Sequence, residues 1–262
     1  MVLYQTLEEH ISLCLENLDK IYRGKIKSYI NTLMKEDLYE WLKLSIIFHD
    51  AGKCFYEIYD RNNKKHGFVG HEWLSFWFLS NFLKSLKRYN DYNDLYEKLS
   101  LFLVLCHHHA MDIEKRLSYL TRKSRYLVTY KVEKCLTIIE KFLEDSMFND
   151  KLVIKDFKNK ILKNVKNINN NFFIFKRYIT NNEYKSLWDS CWLGSSLFRK
   201  ISTITLDVLM YCDYKGSENP SNEIDDVQSI NRELVARVVD KKENVITKFS
   251  KVLYEWGDLY KR

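Results

Sequence analysis

Residues 41–53 read WLKLSIIFHDAGK, an apolar run that ends in a histidine–aspartate pair. The density of apolar residues from Asp37 to His49 predicts a buried helix, and Gly52 soon after it is typical of a helix end. Charge is costly to bury unless it is paired or binds a metal ion. His49 and Asp50 are therefore either a polar helix end or metal ligands.

Residues that interrupt helices are scarce throughout the chain, whose 262 residues include one proline and seven glycines. A β-sandwich or an α/β fold would need more turn residues, so this scarcity predicts an all-α fold. Apolar residues at helical spacing predict a first helix over Thr6–Ile21. Further helices are expected at 71–87, 94–108, 118–143 (one or a pair), 183–214 and 225–260 (one or two), with loops at 51–70 and 216–222.

A lysine- and asparagine-rich stretch at 151–171 predicts either a mobile insertion or a basic surface helix. We expect a single helical domain over 1–262, with a variable basic helical insertion at about 145–182. No basic region followed by an apolar run occurs near the N-terminus, and no apolar stretch is long enough to cross a bilayer. The six cysteines form no C-x-x-C pair, which favours reduced thiols. These features predict a cytoplasmic protein without a membrane partner.

All seven histidines lie within the first 109 residues. Neutral imidazole is the commonest metal ligand in proteins. His71 begins one predicted helix, and the triplet His107–His109 ends another. Because neighbouring helical residues point about 100° apart, only two of the triplet are expected to face one ion. His10, in the middle of the first helix, is by itself more typical of a solvated or core histidine than of a metal ligand.

The order of these elements resembles the HD superfamily of metal-dependent phosphohydrolases. More narrowly, it resembles the stand-alone HD nuclease of type I CRISPR interference, whose helicase is a separate protein. The resemblance is carried by five separated elements: His10, H-D-x-G-K at 49–53, H-E-x-x-S at 71–75, the double histidine at 107–108, and C-D-Y-K-G-S at 212–217.

The resemblance implies an HD-domain helical bundle with a two-metal site. One metal would be held by His10, His49, Asp50 and Asp213. Asp50 would bridge to a second metal, whose other ligands would be His71, His107 and His108. Two assignments stay open, namely His108/His109 in place of His107/His108, and Asp207 in place of Asp213. The Gly216–Ser217 pair that follows Asp213 favours Asp213 as the ligand.

Two metal ions held by such residues suit in-line displacement at phosphorus, since they acidify water and neutralise phosphate charge. Mixed histidine and aspartate ligands predict two divalent transition metal ions, such as Mn, Ni, Co or Fe, with Mg possible. Asp50 and Lys53 would be the catalytic residues. Asp50 would fix the separation of the ions, and Lys53 would stabilise the transition state as a fixed positive charge.

The net charge of +7 is compatible with a polyanionic partner. Basic residues concentrate at 115–134 and 151–176, and a basic groove with stacking aromatics suits single-stranded nucleic acid. Solvated helix faces and core aromatics are the alternative. The aromatics near these stretches are Tyr119, Tyr126, Tyr130, Phe157, Phe172, Phe173 and Phe175.

Three functions are compatible with this sequence. The first is a nuclease that cuts single-stranded DNA together with a separate CRISPR helicase and an RNA-guided surveillance complex, as the resemblance implies. The second is an HD phosphohydrolase that acts on nucleotides or cyclic dinucleotides. The third is a non-catalytic helical interaction subunit with a structural metal.

Overall fold

The computed structural model describes residues 5–34, 37–56, 68–89, 94–108, 113–123, 127–168, 183–191 and 193–218. Within these ranges the fold is all-α, as predicted, with ten α-helices and no strand. Residues Thr6–Glu218 form one compact unit. The helices are α1 (Leu7–Ile21), α2 (Lys27–Met34), α3 (Tyr39–His49), α4 (His71–Leu86), α5 (Asp94–Cys106), α6 (Ile113–Lys123), α7 (Val132–Glu144), α8 (Lys151–Ile168), α9 (Glu183–Cys191) and α10 (Ser196–Glu218).

A capping box starts α1 at Thr6. The Thr6 hydroxyl accepts a hydrogen bond from the Glu9 backbone N–H at 3.2 Å, and the Glu9 carboxylate accepts one from the Thr6 backbone N–H at 2.8 Å. Each interaction satisfies a backbone donor that the first turn would otherwise leave unpaired. This fixes the start of α1 one turn before His10, whose side chain is buried.

The helix α3 lies at the centre of the unit and packs against α1, α4, α5, α7 and α10. Eight of its eleven residues are buried, as expected for a helix surrounded by others. Leu44, Ile46, Ile47 and Phe48 are each fully buried. Because α3 ends at His49, its last residue is delivered into the interior of the bundle.

Several predicted boundaries differ from the structure. Residues Ala51–Phe55, predicted as loop, form a 3-10 helical turn directly after Asp50. The segment 118–143 is a pair of helices, the first of which begins earlier, at Ile113. The helix predicted over 183–214 is two helices, and the second continues through Gly216 to Glu218. The prediction of a loop is therefore wrong for residues 216–218. The sequence could not show this, because the end of α10 packs closely on α1, which is a tertiary contact.

The basic stretch at 151–168 is a helix with one face in the core. Val153, Phe157 and Ile161 are at most 1% exposed, and the Phe157 ring packs 5.5 Å from that of Phe82. A mobile insertion is therefore the wrong alternative for these residues. Phe157 is a core aromatic, so its prediction as a possible stacking residue is also wrong.

Some predictions fall outside the described residues. They are the helical prediction at 225–260, the remainder of the basic region at 169–182, the ligand alternative His109, and the aromatics Tyr126, Phe172, Phe173 and Phe175. The single-domain prediction for 1–262 stays a prediction. None of the helices in the described ranges combines the length and the apolar character needed to cross a bilayer.

Candidate metal centre

Three histidines share one local arrangement. Their Nδ1 atoms lie 2.6–2.7 Å from the backbone carbonyl three residues earlier: His49 on Ile46, His71 on Phe68 and His107 on Val104. A carbonyl can only accept, so each Nδ1 carries the proton and each Nε2 of the neutral ring presents its lone pair. Metal-binding histidines are oriented in this way by their second nitrogen.

The Nε2 lone pairs point at two carboxylates, those of Asp50 and Asp213, in the interior of the bundle. Asp50, His49 and His71 are at most 2% exposed. His71 Nε2 lies 3.0 Å from Asp50 Oδ1, and His107 Nε2 lies 3.9 Å from the same oxygen. His49 Nε2 lies 3.6 Å from the other oxygen, Oδ2. The two oxygens of Asp50 therefore face two different groups of histidines.

The first donor set consists of His10, His49, Asp50 and Asp213. His10 Nε2 lies 3.1 Å from Asp213 Oδ1, 3.3 Å from Asp50 Oδ2 and 3.2 Å from His49 Nε2. Asp213 Oδ1 also lies 3.5 Å from His49 Nε2. One ligand atom from each residue thus falls within 4.8 Å of all the others.

The second donor set consists of His71, His107 and His108. His71 Nε2 and His107 Nε2 are 3.3 Å apart, and the ring of His108 lies 4.2 Å from that of His107. Asp50 Oδ1 completes this set from the side of the first. The structure thus brings together His107 and His108, the pair preferred from the sequence.

Burial dominates the electrostatics of the second set. It lowers the pKa of His71 to about 4 and the pKa values of His107 and His108 to about 3. Desolvation disfavours the charged form of imidazole. All three rings are consequently neutral at physiological pH, which is the form that binds metals.

Carboxylates dominate the first set. Burial opposes the charge on His10, but hydrogen bonds to Asp213 and Asp50 outweigh it and raise the pKa to about 12. Burial likewise opposes ionisation of Asp50, yet the charge of Lys53 and the hydrogen bond from His10 hold its pKa well below the usual value. The pKa of Asp213 is also held low, against burial, by the hydrogen bond from His10. Without an ion, a proton on His10 supplies the positive charge that these carboxylates require.

A close approach between backbones joins Asp50 to His71. A Cβ atom placed on Gly52 would lie 2.1 Å from the His71 carbonyl oxygen, so only glycine allows the turn after Asp50 to press against α4. The Gly52 backbone N–H donates to Ser75 Oγ at 2.8 Å. This contact explains physically why the H-D-x-G-K and H-E-x-x-S sequences occur together.

A second close approach joins α10 to α1. A Cβ atom on Gly216 would lie 2.5 Å from Cys14 Sγ and 3.4 Å from the His10 carbonyl oxygen. The bare backbone of Gly216 lets the two helices meet, and Asp213 reaches His10 one turn earlier along α10. Asp207, on the same helix, is exposed and makes no described contact with the centre.

Two ion pairs surround the donor sets. The Lys53 ammonium donates to Asp50 Oδ2, so in this structure the predicted phosphate-binding lysine is engaged by the carboxylate. The buried Glu72 accepts from Arg116 of α6 and lies 3.5 Å from His71 Nδ1. The Glu72–Arg116 pair was not foreseen from the sequence, because the partners are 44 positions apart and neither belongs to a recognisable ligand spacing.

The donor atoms fit divalent cations on two counts. Asp50 Oδ1 is buried and has no hydrogen-bond donor among the described residues, while the lone pair of His71 Nε2 faces it. Two electron pairs at that distance repel unless a cation or a proton lies between them. Ligands at about 2.0–2.1 Å from one tetrahedral ion would be about 3.3–3.4 Å apart, close to the 3.1–3.5 Å spacings among His10, His49 and Asp213.

Cys14 is a potential metal ligand, although its sequence context predicted only a reduced cysteine. Its Sγ lies 3.7 Å from His10 Nε2, and with His10 and His49 it forms a further group of potential ligands. The signal was available, since residues four apart on a helix share a face and Cys14 follows His10 at that spacing.

Comparison of the chain with models of known protein families, with curated proteins and with solved structures found no match in any of the three. Fold and site therefore define the protein only as an all-α protein with buried histidine and aspartate clusters that could hold metal ions.

Proposed function

We propose that this chain is a metal-dependent phosphodiesterase of the HD type, with one divalent transition metal ion at each donor set. The observation that carries the proposal is the position of Asp50, whose two carboxylate oxygens face separate groups of histidines. A carboxylate in that position can bridge two cations and fix their separation, as in-line phosphoryl displacement requires.

The roles that we propose for these residues follow from their charges. Bound divalent ions would supply Lewis acidity, which acidifies water and neutralises phosphate oxygens. Asp50 and Asp213 would hold the ions, and the burial of the histidine rings keeps those ligands fixed. Lys53 neutralises Asp50 in this structure; its side chain remains one-third exposed, so it can turn to a phosphate oxygen when an ion takes its place on Asp50.

For the substrate, we propose single-stranded DNA, with a separate CRISPR helicase and an RNA-guided surveillance complex as partners. The support is the sequence resemblance together with exposed basic residues on α8, namely Lys151, Lys155, Lys163 and Lys166. Tyr119 and Tyr130 are exposed aromatics, 44% and 68% accessible, of the kind that stacks on bases, and Lys131 Nζ lies 5.5 Å from the centre of the Tyr130 ring.

The test of the activity uses the full chain, stripped of metal and then supplied with Mn, Co, Ni or Mg. Single-stranded DNA, duplex DNA, nucleotides and a cyclic dinucleotide are offered in parallel. Degradation of single strands supports the proposal in full. Release of phosphate or of a linear dinucleotide would keep the phosphohydrolase but replace the substrate. Absence of turnover with every metal would contradict the proposed enzymatic activity and would leave a structural metal centre as the remaining function.

A matched pair of variants ties that activity to the centre. Asp213→Ala removes a carboxylate from the first donor set and should lower turnover by more than about 100-fold, since even outer-shell partners of metal ligands are worth 10–100-fold. Asp207→Ala removes an exposed carboxylate from the same helix and should retain activity. Equal activity in the two variants would contradict the assignment of the site.

The proposed DNA contact has its own matched pair. Lys155→Gln with Lys163→Gln removes two exposed charges from α8 and should weaken DNA binding and flatten its salt dependence. Lys158 and Lys160 of the same helix are paired with Glu140 and Asp156. Their replacement by Gln should affect binding less. If both double variants bind as the parent does, α8 does not contact DNA.

A further inference from the structure

Cys14 lies at the first donor set without a role in the proposed site. Its side chain is fully buried on α1, one turn after His10. The Sγ atom is 3.7 Å from His10 Nε2 and 4.0 Å from Nδ1, so it lies nearer to the nitrogen that faces the carboxylates. It is therefore on the side of the ring where a cation would bind.

The spacing of the sulfur matches that of a ligand. A sulfur at about 2.3 Å and a nitrogen at about 2.0–2.1 Å from one tetrahedral ion would be about 3.5–3.6 Å apart. The observed 3.7 Å between Cys14 Sγ and His10 Nε2 is close to this value. Cys14, His10 and His49 each offer an atom within 4.8 Å of the other two.

The surrounding structure holds the sulfur at this place. The backbone of Gly216 packs directly on it, since a Cβ there would lie 2.5 Å from Sγ. The same approach of α10 brings Asp213 to His10. The buried oxygen Asp50 Oδ1 has no hydrogen-bond donor among the described residues, so the carboxylate shared by the two donor sets has an acceptor left for a cation.

We propose that the Cys14 thiolate is an additional ligand of the ion that His10 and His49 would hold. The thiol proton is released to solvent as the bond from sulfur to metal forms. Thiolate is a soft ligand that favours zinc-like ions over Mn²⁺ and Mg²⁺. The first donor set thereby selects Zn²⁺ or Co²⁺, whereas the second set, which has no sulfur among its described ligands, does not share this selectivity.

This inference rests on the proposed metal centre, and the experiment separates the two. The metal-stripped full chain is titrated with Co²⁺, whose visible bands report binding and whose near-ultraviolet charge-transfer band reports a sulfur ligand. The parent should show both. Cobalt binding without a sulfur band would overturn the role of Cys14 alone, and absence of cobalt binding would overturn the metal centre as well.

Variants assign the sulfur. Cys14→Ser and Cys14→Ala should lose the charge-transfer band while cobalt still binds, and should lose at least about tenfold of the preference for Zn²⁺ over Mn²⁺. Cys191→Ser is the matched control, because Cys191 is a buried thiol on α9 whose Sγ donates to the Lys98 carbonyl. A band that persists without Cys14 would refute the proposal. If the Cys14 variants do not fold, X-ray absorption of the parent's zinc form decides by the presence or absence of a sulfur neighbour.

Discussion

The two donor sets meet at Asp50, yet they are built differently. The first contains two carboxylates, and its histidine His10 holds a proton because Asp213 and Asp50 raise its pKa to about 12. The second consists of three imidazoles, whose pKa values burial lowers to about 3 or 4. A cation must displace a proton from the first set but finds neutral ligands in the second. Neighbouring charge thus governs one half of the centre, and desolvation governs the other.

The largest effect is expected from Asp50→Asn, which changes the residue that both sets share. The amide keeps the shape of the carboxylate but lacks its charge and one acceptor oxygen. We expect both ions to be lost and turnover to fall by more than about 100-fold. Elemental analysis and the nuclease assay measure these outcomes, with circular dichroism to verify the helices. Normal metal content in this variant would show that Asp50 does not bridge the sets.

The next effect distinguishes the two sets. His71→Ala should remove the ion of the second set, and His10→Ala the ion of the first, so each variant should retain about half of the bound metal. Elemental analysis after dialysis gives the stoichiometry, and cobalt spectra show which set remains occupied. If either single variant lost all metal, the two sets would be one cooperative site and would not differ in the way that their pKa values indicate.

Gly52→Ala should act on the geometry between the sets without touching a donor. Its Cβ would lie 2.1 Å from the His71 carbonyl oxygen and 2.7 Å from Leu74 Cβ, so the turn after Asp50 must move away from α4. Overpacking of this kind costs about 1–3 kcal/mol of unfolding free energy. Denaturant unfolding measures the loss, and metal titration should show weaker binding at the second set. Unchanged stability would mean that the turn and α4 are not pressed together.

The smallest effect on metal binding is expected from Ser75→Ala. This variant removes the hydroxyl that accepts from the Gly52 N–H at 2.8 Å and leaves a buried donor unpaired. We expect a loss of about 1–3 kcal/mol at most, with metal stoichiometry unchanged. Ser80→Ala, at a less deeply buried serine five residues further along α4, is the control. Equal stability of the Ser75 and Ser80 variants would show that this hydrogen bond does not stabilise the contact between Gly52 and α4.

The fold class followed from local patterns. The scarcity of proline and glycine, the apolar segment before His49 and the helical spacing in Thr6–Ile21 predicted the all-α fold and the positions of the first helices. Boundaries were less accurate where packing decides them. The helix α10 runs through Gly216 because that residue packs on α1, whereas in the sequence a glycine near a proline predicts a loop.

The residues of the candidate centre were also proposed from the sequence, although their number and order came from a resemblance and not from spacing alone. The sequence could not predict which nitrogen of each histidine carries the proton, or that Cys14 lies beside the first donor set. The fixed protonation of His49, His71 and His107 depends on turns that place a carbonyl at each Nδ1. The approach of Cys14 depends on a backbone contact between α1 and α10.

Composition and periodicity determined that this chain forms apolar helices and that imidazoles and carboxylates lie at or near the ends of several of them. Both are local properties, since helix formation and side-chain facing depend on neighbours within a few residues. Only the tertiary structure decided that His10, Asp50 and Asp213 meet, that each oxygen of Asp50 faces a different set, and that Cys14 lies beside one of them. These meetings join residues far apart in the chain, and their distances are set by how closely the helices pack.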